Sequence, residues 1–420
     1  MNIWFTNPDE ILKKTTLVSR FLEYVKIDTE ANPESTSFPS TKSQLEFGRK
    51  LLADLKALGL SDATMDENGY VFARYPGRVK GPCVGLLAHM DTAPDFTGKD
   101  VRPQIHENYG GGILRLKNGV VLNPAEDRHL PQCVGHTLIT TDGTTLLGAD
   151  DKAGVAELFA LVEFLNQHPD IPIPPLSIGF TPDEEIGRGA DRFDINRFGA
   201  DIAYTVDIQF PGEINIETFC ADTATLTFTG IAIHPGNAKG KMVNALRYAA
   251  KILERLPENE RPETTDEREG YYNPSHISGN GAQAKLVIFL RDFAKKGLKK
   301  RGDFIRKLVS DVLKGEPRLR IHLAIIPRYR NMANVLKKRP EIARKAEESV
   351  RRAGLTPVFR PIRGGTDGAN LTAKGLPTIN LFSGSVNAHG PTEWVSTKAM
   401  GYAVCTLLNL LQLWGSDRGQ

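Results

Sequence analysis

Histidines and carboxylates cluster at five places in this chain, and four of the clusters follow a short apolar run. VGLLAHMD (84–91) ends in His89-Met90-Asp91, and LSIGFTPDE (176–184) runs into Asp183-Glu184-Glu185. IAYTVD (202–207) ends in Asp207, and LPTINLFSG (376–384) is followed by His389. The fifth cluster, Asp150-Asp151, opens the stretch KAGVAELFALVEFL (152–165). Taken singly, each has an ordinary explanation: a helix N-cap at Asp150-Asp151, a core histidine at His89, a solvated loop at 183–185. Taken together they would gather unpaired negative charge at one place, which needs a counter-cation. Imidazole and carboxylate donors without cysteine suit zinc, cobalt or manganese. Two histidines and several acids exceed one four-coordinate zinc. They fit two ions about 3.5–4 Å apart that share a bridging carboxylate. In His-x-Asp on a strand both side chains share a face, so Asp91 is placed to accept the second N–H of His89. Of Glu184 and Glu185, alternation points one at the metal and leaves the other to handle the proton of a water.

Those side chains act together only if the runs before them are strands of one sheet. Short continuous apolar runs bounded by Gly, Pro and Asp suit buried, mostly parallel strands. Between two of them, 152–165 has apolar residues at 155, 158, 159, 162 and 165, a helical spacing, and HPDIPIPP (168–175) breaks it. Strand, helix, strand in this order means an α/β unit with crossovers, whose ligands bind outside the carboxyl ends of the strands. Residues 9–26 and 42–58 read as amphipathic helices. From 218 to 330 the pattern changes: strands at 223–233, 271–279, 284–293 and 318–326, and helices at 242–256 and 303–314, follow the order βαββαβ. The expectation is an α/β, mostly parallel-sheet domain made of residues 1–217 and 331–420, with an α+β sandwich inserted at 218–330.

The bulk properties exclude several function classes. With 420 residues, 40% hydrophobic and 25% charged, the chain is neither disordered nor fibrous and has room for two or three structural units. Fifty-three Lys+Arg against 50 Asp+Glu gives +3, too balanced to indicate a polyanion partner. The charge is nevertheless uneven: Arg291 to Arg339 holds 16 Lys+Arg and 4 Asp+Glu. That run reads first as a solvated helix face, next as a surface steering anionic substrates, and last as a nucleic-acid patch, because aromatics are not interleaved with it. Cys83, Cys133, Cys220 and Cys405 form no CxxC pair, which argues against a disulfide framework and a thiolate metal site. No apolar run reaches the ~18 residues of a membrane span, and MNIWFTNPDE lacks the features of a signal peptide. A cytoplasmic protein without nucleic-acid or membrane partners is expected.

LLAHMDTAPD, TDGTTLLGADDKAGVAEL, FTPDEEIGRGA, AYTVD, HPGNAKGKMVNAL, RDF and PIRGGTDGA, in this order over nearly the whole chain, resemble the peptidase T (tripeptide aminopeptidase) family. That family belongs to a wider group of co-catalytic di-zinc exopeptidases and deacylases. The resemblance implies one zinc on His89 and Asp207, another on Glu185 and His389, and Asp150 bridging them, with Co2+ or Mn2+ as substitutes. It implies Glu184 as the general base toward a metal-bridging hydroxide, Asp91 as the partner of His89, and a cis peptide at Asp150-Asp151. His234 resembles an oxyanion donor, and Arg291 and Arg363 resemble substrate-binding positions. A guanidinium suits a peptide carboxylate because it donates two parallel hydrogen bonds. By spacing alone, His234 reads equally as a turn residue and Arg291 as a surface strand residue. His106, His129, His136, His168, His276 and His322 receive no role, and Gly364, Gly365, Asp367 and Gly368 read as a turn.

The implied activity is release of the N-terminal residue from short peptides, tripeptides first, by a domain whose insertion closes over the substrate as a lid or serves dimerisation. Dimerisation occurs across the wider group, so a homodimer is an implied partner state. Two departures flank the metal residues: Ile208-Gln209-Phe210 replaces the usual glycines, and Pro391-Thr392-Glu393 replaces a basic residue after His389-Gly390. They leave open a related dipeptidase or N-acyl amino acid deacylase on the same fold. A catalytically silent peptide-binding protein would have lost ligands or the base, and all are present.

Overall fold

The apolar runs are strands of one twisted sheet. A computed structural model of the chain describes residues 4–416, which divide into two compact units: the first takes in residues up to Ile216, Asn334–Arg360 and those from Thr366 on, the second Glu217–Ala333 and Pro361–Gly365. In the first unit eight strands lie in the order Thr64–Met65, Val71–Tyr75, Leu176–Thr181, Val84–His89, Ile202–Ile208, Thr378–Phe382, Glu213–Asn215, Val358–Phe359. The four central strands, 176–181 to 378–382, are mutually parallel. Val71–Tyr75 and Glu213–Asn215 flank them antiparallel. Every residue of Val84–His89 and Leu176–Thr181 is buried, as befits parallel strands covered on both faces.

Helix Ala149–Gln167 packs on Val84–His89 and Ile202–Ile208, and helix Thr397–Gly415 packs on that helix in turn. Nearly all of Ala149–Gln167 is buried, so its apolar residues run round the whole circumference rather than along one stripe. A cluster including Tyr70, Phe72, Phe193, Phe198 and Leu371 forms a further core of this unit. A second small sheet, in the order Ser385–Val386, Trp394–Ser396, Leu138–Thr140, Gln104–His106, surrounds the buried Trp394. The 9–26 segment is two helices, Pro8–Lys14 and Leu17–Tyr24. Thr15 Oγ1 donates back to Ile11 O, and the Thr16 N–H and hydroxyl both donate to Glu163. These local polar bonds compete with the helix ladder and end it.

The second unit is an antiparallel sheet in the order Tyr271–Gly279, Gln283–Asp292, Cys220–Thr229, Arg320–Tyr329. Helices Ala245–Glu254 and Lys295–Gly315 complete the βαββαβ order and share a core with it that includes Leu226, Phe228, Ile252, Leu286, Ile288 and Ile305. Residues 361–365, read from sequence as part of the outer domain's return, group with this unit. The Phe219 N–H donates to Ile362 O and the Ile362 N–H to Glu217 O, so this stretch pairs beside the start of the insertion. Much of the basic 291–339 run is the outer face of Lys295–Gly315, where Lys299 and Arg306 pair with Asp303 while Leu298, Ile305 and Leu308 point inward. Among the described residues, no helix is long and apolar enough to cross a membrane.

Candidate active site

All of the carboxylates and histidines at the strand ends lie in the first unit, and the sheet brings them together. His89 ends its strand opposite Thr181 and is 3% exposed. Its Nδ1 lies 3.1 Å from Asp91 O and 3.3 Å from Asp91 Oδ1. Its Nε2 lies 3.0 Å from Asp150 Oδ1 and 3.5 Å from Asp207 Oδ1. A proton on Nδ1 facing Asp91 leaves the Nε2 lone pair aimed at the other two acids. Across Asp150, His389 Nε2 lies 3.0 Å from Glu185 Oε2 and 3.7 Å from Asp150 Oδ2. Two triads result, His89–Asp150–Asp207 and Asp150–Glu185–His389, each offering three ligand atoms within 4.8 Å of one another. Asp150 is common to both. The Asp150-Asp151 peptide is cis.

Glu184 belongs to neither triad. Its Oε1 accepts the Asp367 N–H at 3.2 Å, and its own N–H and that of Glu185 donate to the two oxygens of Asp91 at 3.0 and 3.1 Å. Asp91, wholly buried, therefore orients the His89 ring and the Glu184-Glu185 backbone at once.

The electrostatics test whether the residues suit a cation. Burial, reinforced by Asp150, pushes the Glu185 carboxyl up to about 8, and burial raises Asp207 to about 6. Burial, with Asp207 next, holds Glu184 well above the usual carboxylate range. For Asp150 burial acts upward, but the hydrogen bonds from His389 and His89 outweigh it and the net direction is down. Hydrogen bonds to Asp150 and Glu185 lift His389 to about 11. Burial would lower His89, and Asp207 and Asp150 reverse that to well above the usual imidazole value. Glu184, Glu185 and Asp207 are thus pressed to stay protonated and both imidazoles to stay charged, the response of a buried site with more negative charge than its own cations balance. Glu185 Oε1 is buried without a hydrogen-bond partner, a lone pair left free for a metal. The donor set and its charge fit divalent ions.

His234, Arg291 and Arg363 all lie in the second unit. Exposed His234 accepts the Gly236 N–H at Nδ1 (3.2 Å), which leaves Nε2–H outward as a donor. Arg291 lies over the Phe289 and Tyr329 rings and donates to Leu290 O at 3.0 Å. Arg363 donates to Glu267 O, Glu269 O and Thr265 Oγ1, and stacks over Phe219 and Tyr271. Most of its donors are spent within that unit.

Three residues with no assigned role prove to be part of the site's frame. Asp183, at φ 58°, accepts from Ser40 N, Ser40 Oγ (2.5 Å) and Gln44 Nε2 (2.8 Å), while its N–H donates to Gln44 Oε1. Asp367 accepts from Thr181 Oγ1 at 2.7 Å as well as donating to Glu184, so it is more than a turn residue. Glu393 is 1% exposed and faces the backbone of the Asp150 segment. The only sequence signal for these three was an acid next to a site motif. In the other departure, Phe210 stacks on His129 at 4.3 Å and 21°.

The model of the M20/M25/M40 peptidase family matches residues 139–413. The chain is also 44% identical to peptidase T of Clostridium perfringens over 397 residues, 94% of this chain and 98% of that one. This chain belongs to the M20 peptidase family, in its peptidase T branch. It is a hydrolase acting on peptide bonds. Among solved structures, a Staphylococcus aureus tripeptidase matches this M20 chain with a TM-score of 0.75 at 22% identity, covering 95% of this chain and 98% of that one. A Bacillus subtilis protein described as a dinuclear metal-binding peptidase from the M20 family matches with a TM-score of 0.64 at 15% identity over 96% and 98%. These two likenesses show the M20 fold.

Proposed function

We propose that the chain is an aminopeptidase that releases the N-terminal residue of short peptides, tripeptides first. Two divalent ions, zinc with cobalt or manganese as substitutes, would be held by His89, Asp150 and Asp207 and by Asp150, Glu185 and His389. The observation that carries this reading is the pair of triads sharing Asp150, with Glu184 beside them and used by neither. When bound, the ions would supply Lewis-acid stabilisation of charge on the scissile carbonyl oxygen and make water a better nucleophile at neutral pH. Glu184, steadied at Oε1 by the Asp367 N–H, takes the proton of the attacking water and returns it to the leaving amine. Asp91 keeps the proton of His89 on Nδ1 and holds the Glu184 and Glu185 backbone still while this happens.

The names of the relatives, peptidase T and tripeptidase, support a tripeptide substrate, and the dinuclear Bacillus subtilis neighbour supports two ions. His234, with Nε2–H free, is assigned to the carbonyl oxygen, and Arg291 and Arg363 to the peptide carboxylate, Arg363 with fewer donors to spare. All four cysteines are free, which supports a reducing, cytoplasmic setting. Product analysis of zinc-loaded protein on a dipeptide, tripeptide, tetrapeptide, N-acetylated tripeptide and N-acetyl amino acid tests the reading. Release of the first residue from the free tripeptide is expected. Cleavage of the dipeptide or the acylated amino acid in its place would move the chain to another branch of the same chemistry.

A further inference from the structure

Glu393 stands four residues after His389 and directly before the Trp394–Ser396 strand of the small sheet. One of its carboxylate oxygens accepts the N–H groups of Leu147 (2.7 Å) and Gly148 (2.8 Å), and the other accepts that of Asp150 (2.9 Å). The main-chain donors that lead into Asp150 are thus gathered by one side chain more than 240 positions away. Burying a carboxylate is costly unless strong hydrogen bonds replace its water, and three bonds from backbone N–H groups do so here. Both partners are anchored by one ladder, since Trp394 pairs with Thr140 in the sheet that holds the two segments side by side. The segment that carries His389 therefore also carries the clamp on Asp150.

We propose that Glu393 is a positioning residue that sets the Asp150 carboxylate where both triads share it, so that occupancy by two ions depends on this clamp. The inference rests on the two-ion reading above. In Glu393→Gln an amide N–H replaces one acceptor with the shape preserved, and in Glu393→Asp the charge is kept one methylene short.

The test is a metal titration of wild type and both variants by chelator competition, with the Co2+ absorption spectrum and Tm recorded alongside. E393Q is expected to fold, to hold one ion nearly as wild type does, and to bind the second 10–100-fold more weakly with an altered Co2+ spectrum. With metal in excess, KM should stay within about twofold and kcat should fall at least about tenfold, as for a misplaced group that does not bind substrate. E393D should lie between E393Q and wild type. Wild-type affinity for both ions and an unchanged Co2+ spectrum in E393Q, with only Tm lowered, would overturn the proposal. If E393Q does not fold, the same result in E393D overturns it. Wild type that binds fewer than two ions would refute the two-ion reading itself, a result separate from these.

Discussion

Gly154 sits one turn into helix Ala149–Gln167, where that helix presses on Ile202–Ile208, the strand that carries Asp207. A Cβ built there would lie 2.1 Å from Val206 O and 2.6 Å from Asp151 Oδ1. Carbon and oxygen do not approach closer than about 3.3 Å, so helix and strand must separate by about 1 Å. Neither side yields easily, because Val206 O is main chain in a central strand and the helix is buried all round. Gly154→Ala should gain up to ~1 kcal/mol of helix propensity. Against that stand ~1–3 kcal/mol of overpacking, for a net loss of up to ~2 kcal/mol. Function should suffer more than stability, because Asp207 is the next residue and a shift of ~1 Å at a reacting site costs about 100-fold in rate. The control is Gly302→Ala in helix Lys295–Gly315, whose added Cβ meets only ordinary contacts at 3.4 Å and should stabilise by up to ~1 kcal/mol. Thermal melts, metal stoichiometry and kcat/KM on a tripeptide decide it. A Gly154→Ala variant as active as wild type, and as stabilised as Gly302→Ala, would refute the claim that this contact sets the spacing of the site.

Other outcomes follow from the same geometry. Glu184→Gln should bind both ions as wild type does and lose about 10²–10⁴-fold in kcat; near-normal turnover would remove it from proton transfer. Arg291→Ala should raise KM for tripeptides with a free carboxylate more than for their amides; equal effects on both would cancel its assignment. Glu157 is wholly buried, neither of its oxygens has a partner, and burial holds its carboxyl well above the usual range. Unfolding lets that group ionise, so as pH rises above about 4.5 it subtracts ~1.4 kcal/mol of stability per pH unit until the folded value is reached. Glu157→Gln should therefore melt with a flatter pH dependence between pH 5 and 8, and parallel wild-type and variant curves would show that the group already ionises in the fold.

Much of this architecture is legible in the chain because each central strand is a continuous apolar run with an acid or a histidine at its end or a few residues beyond it. Val84–His89, Leu176–Thr181 and Ile202–Ile208 announce both the sheet and the edge where its ligands collect. The second unit is equally legible, since Cys220–Thr229 alternates and Ala245–Glu254 carries a clean apolar stripe. The small sheet escapes such reading because its strands are two or three residues long, too short for any period. The Thr15-Thr16 break escapes it because Glu163, which stops the helix there, is nearly 150 positions away. Glu393 and Asp183 escape it for a related reason. Their partners are backbone N–H groups or residues of a distant helix, and an acid beside a motif looks the same in sequence whether it faces solvent or the frame of the site.

The sheet order also bears on how the chain is made. Ile202–Ile208 and Glu213–Asn215 are close in sequence, yet Thr378–Phe382 lies between them. A chain emerging from the ribosome must hold that slot open while about 160 further residues are added, and His389 and Glu393 arrive only after the slot is filled. Until then Asp150 and Glu185 lack the histidine of their shared triad and the Asp150 segment lacks its clamp. On the proposed reading, peptide-cleaving capacity therefore waits on the one segment that carries both His389 and Glu393.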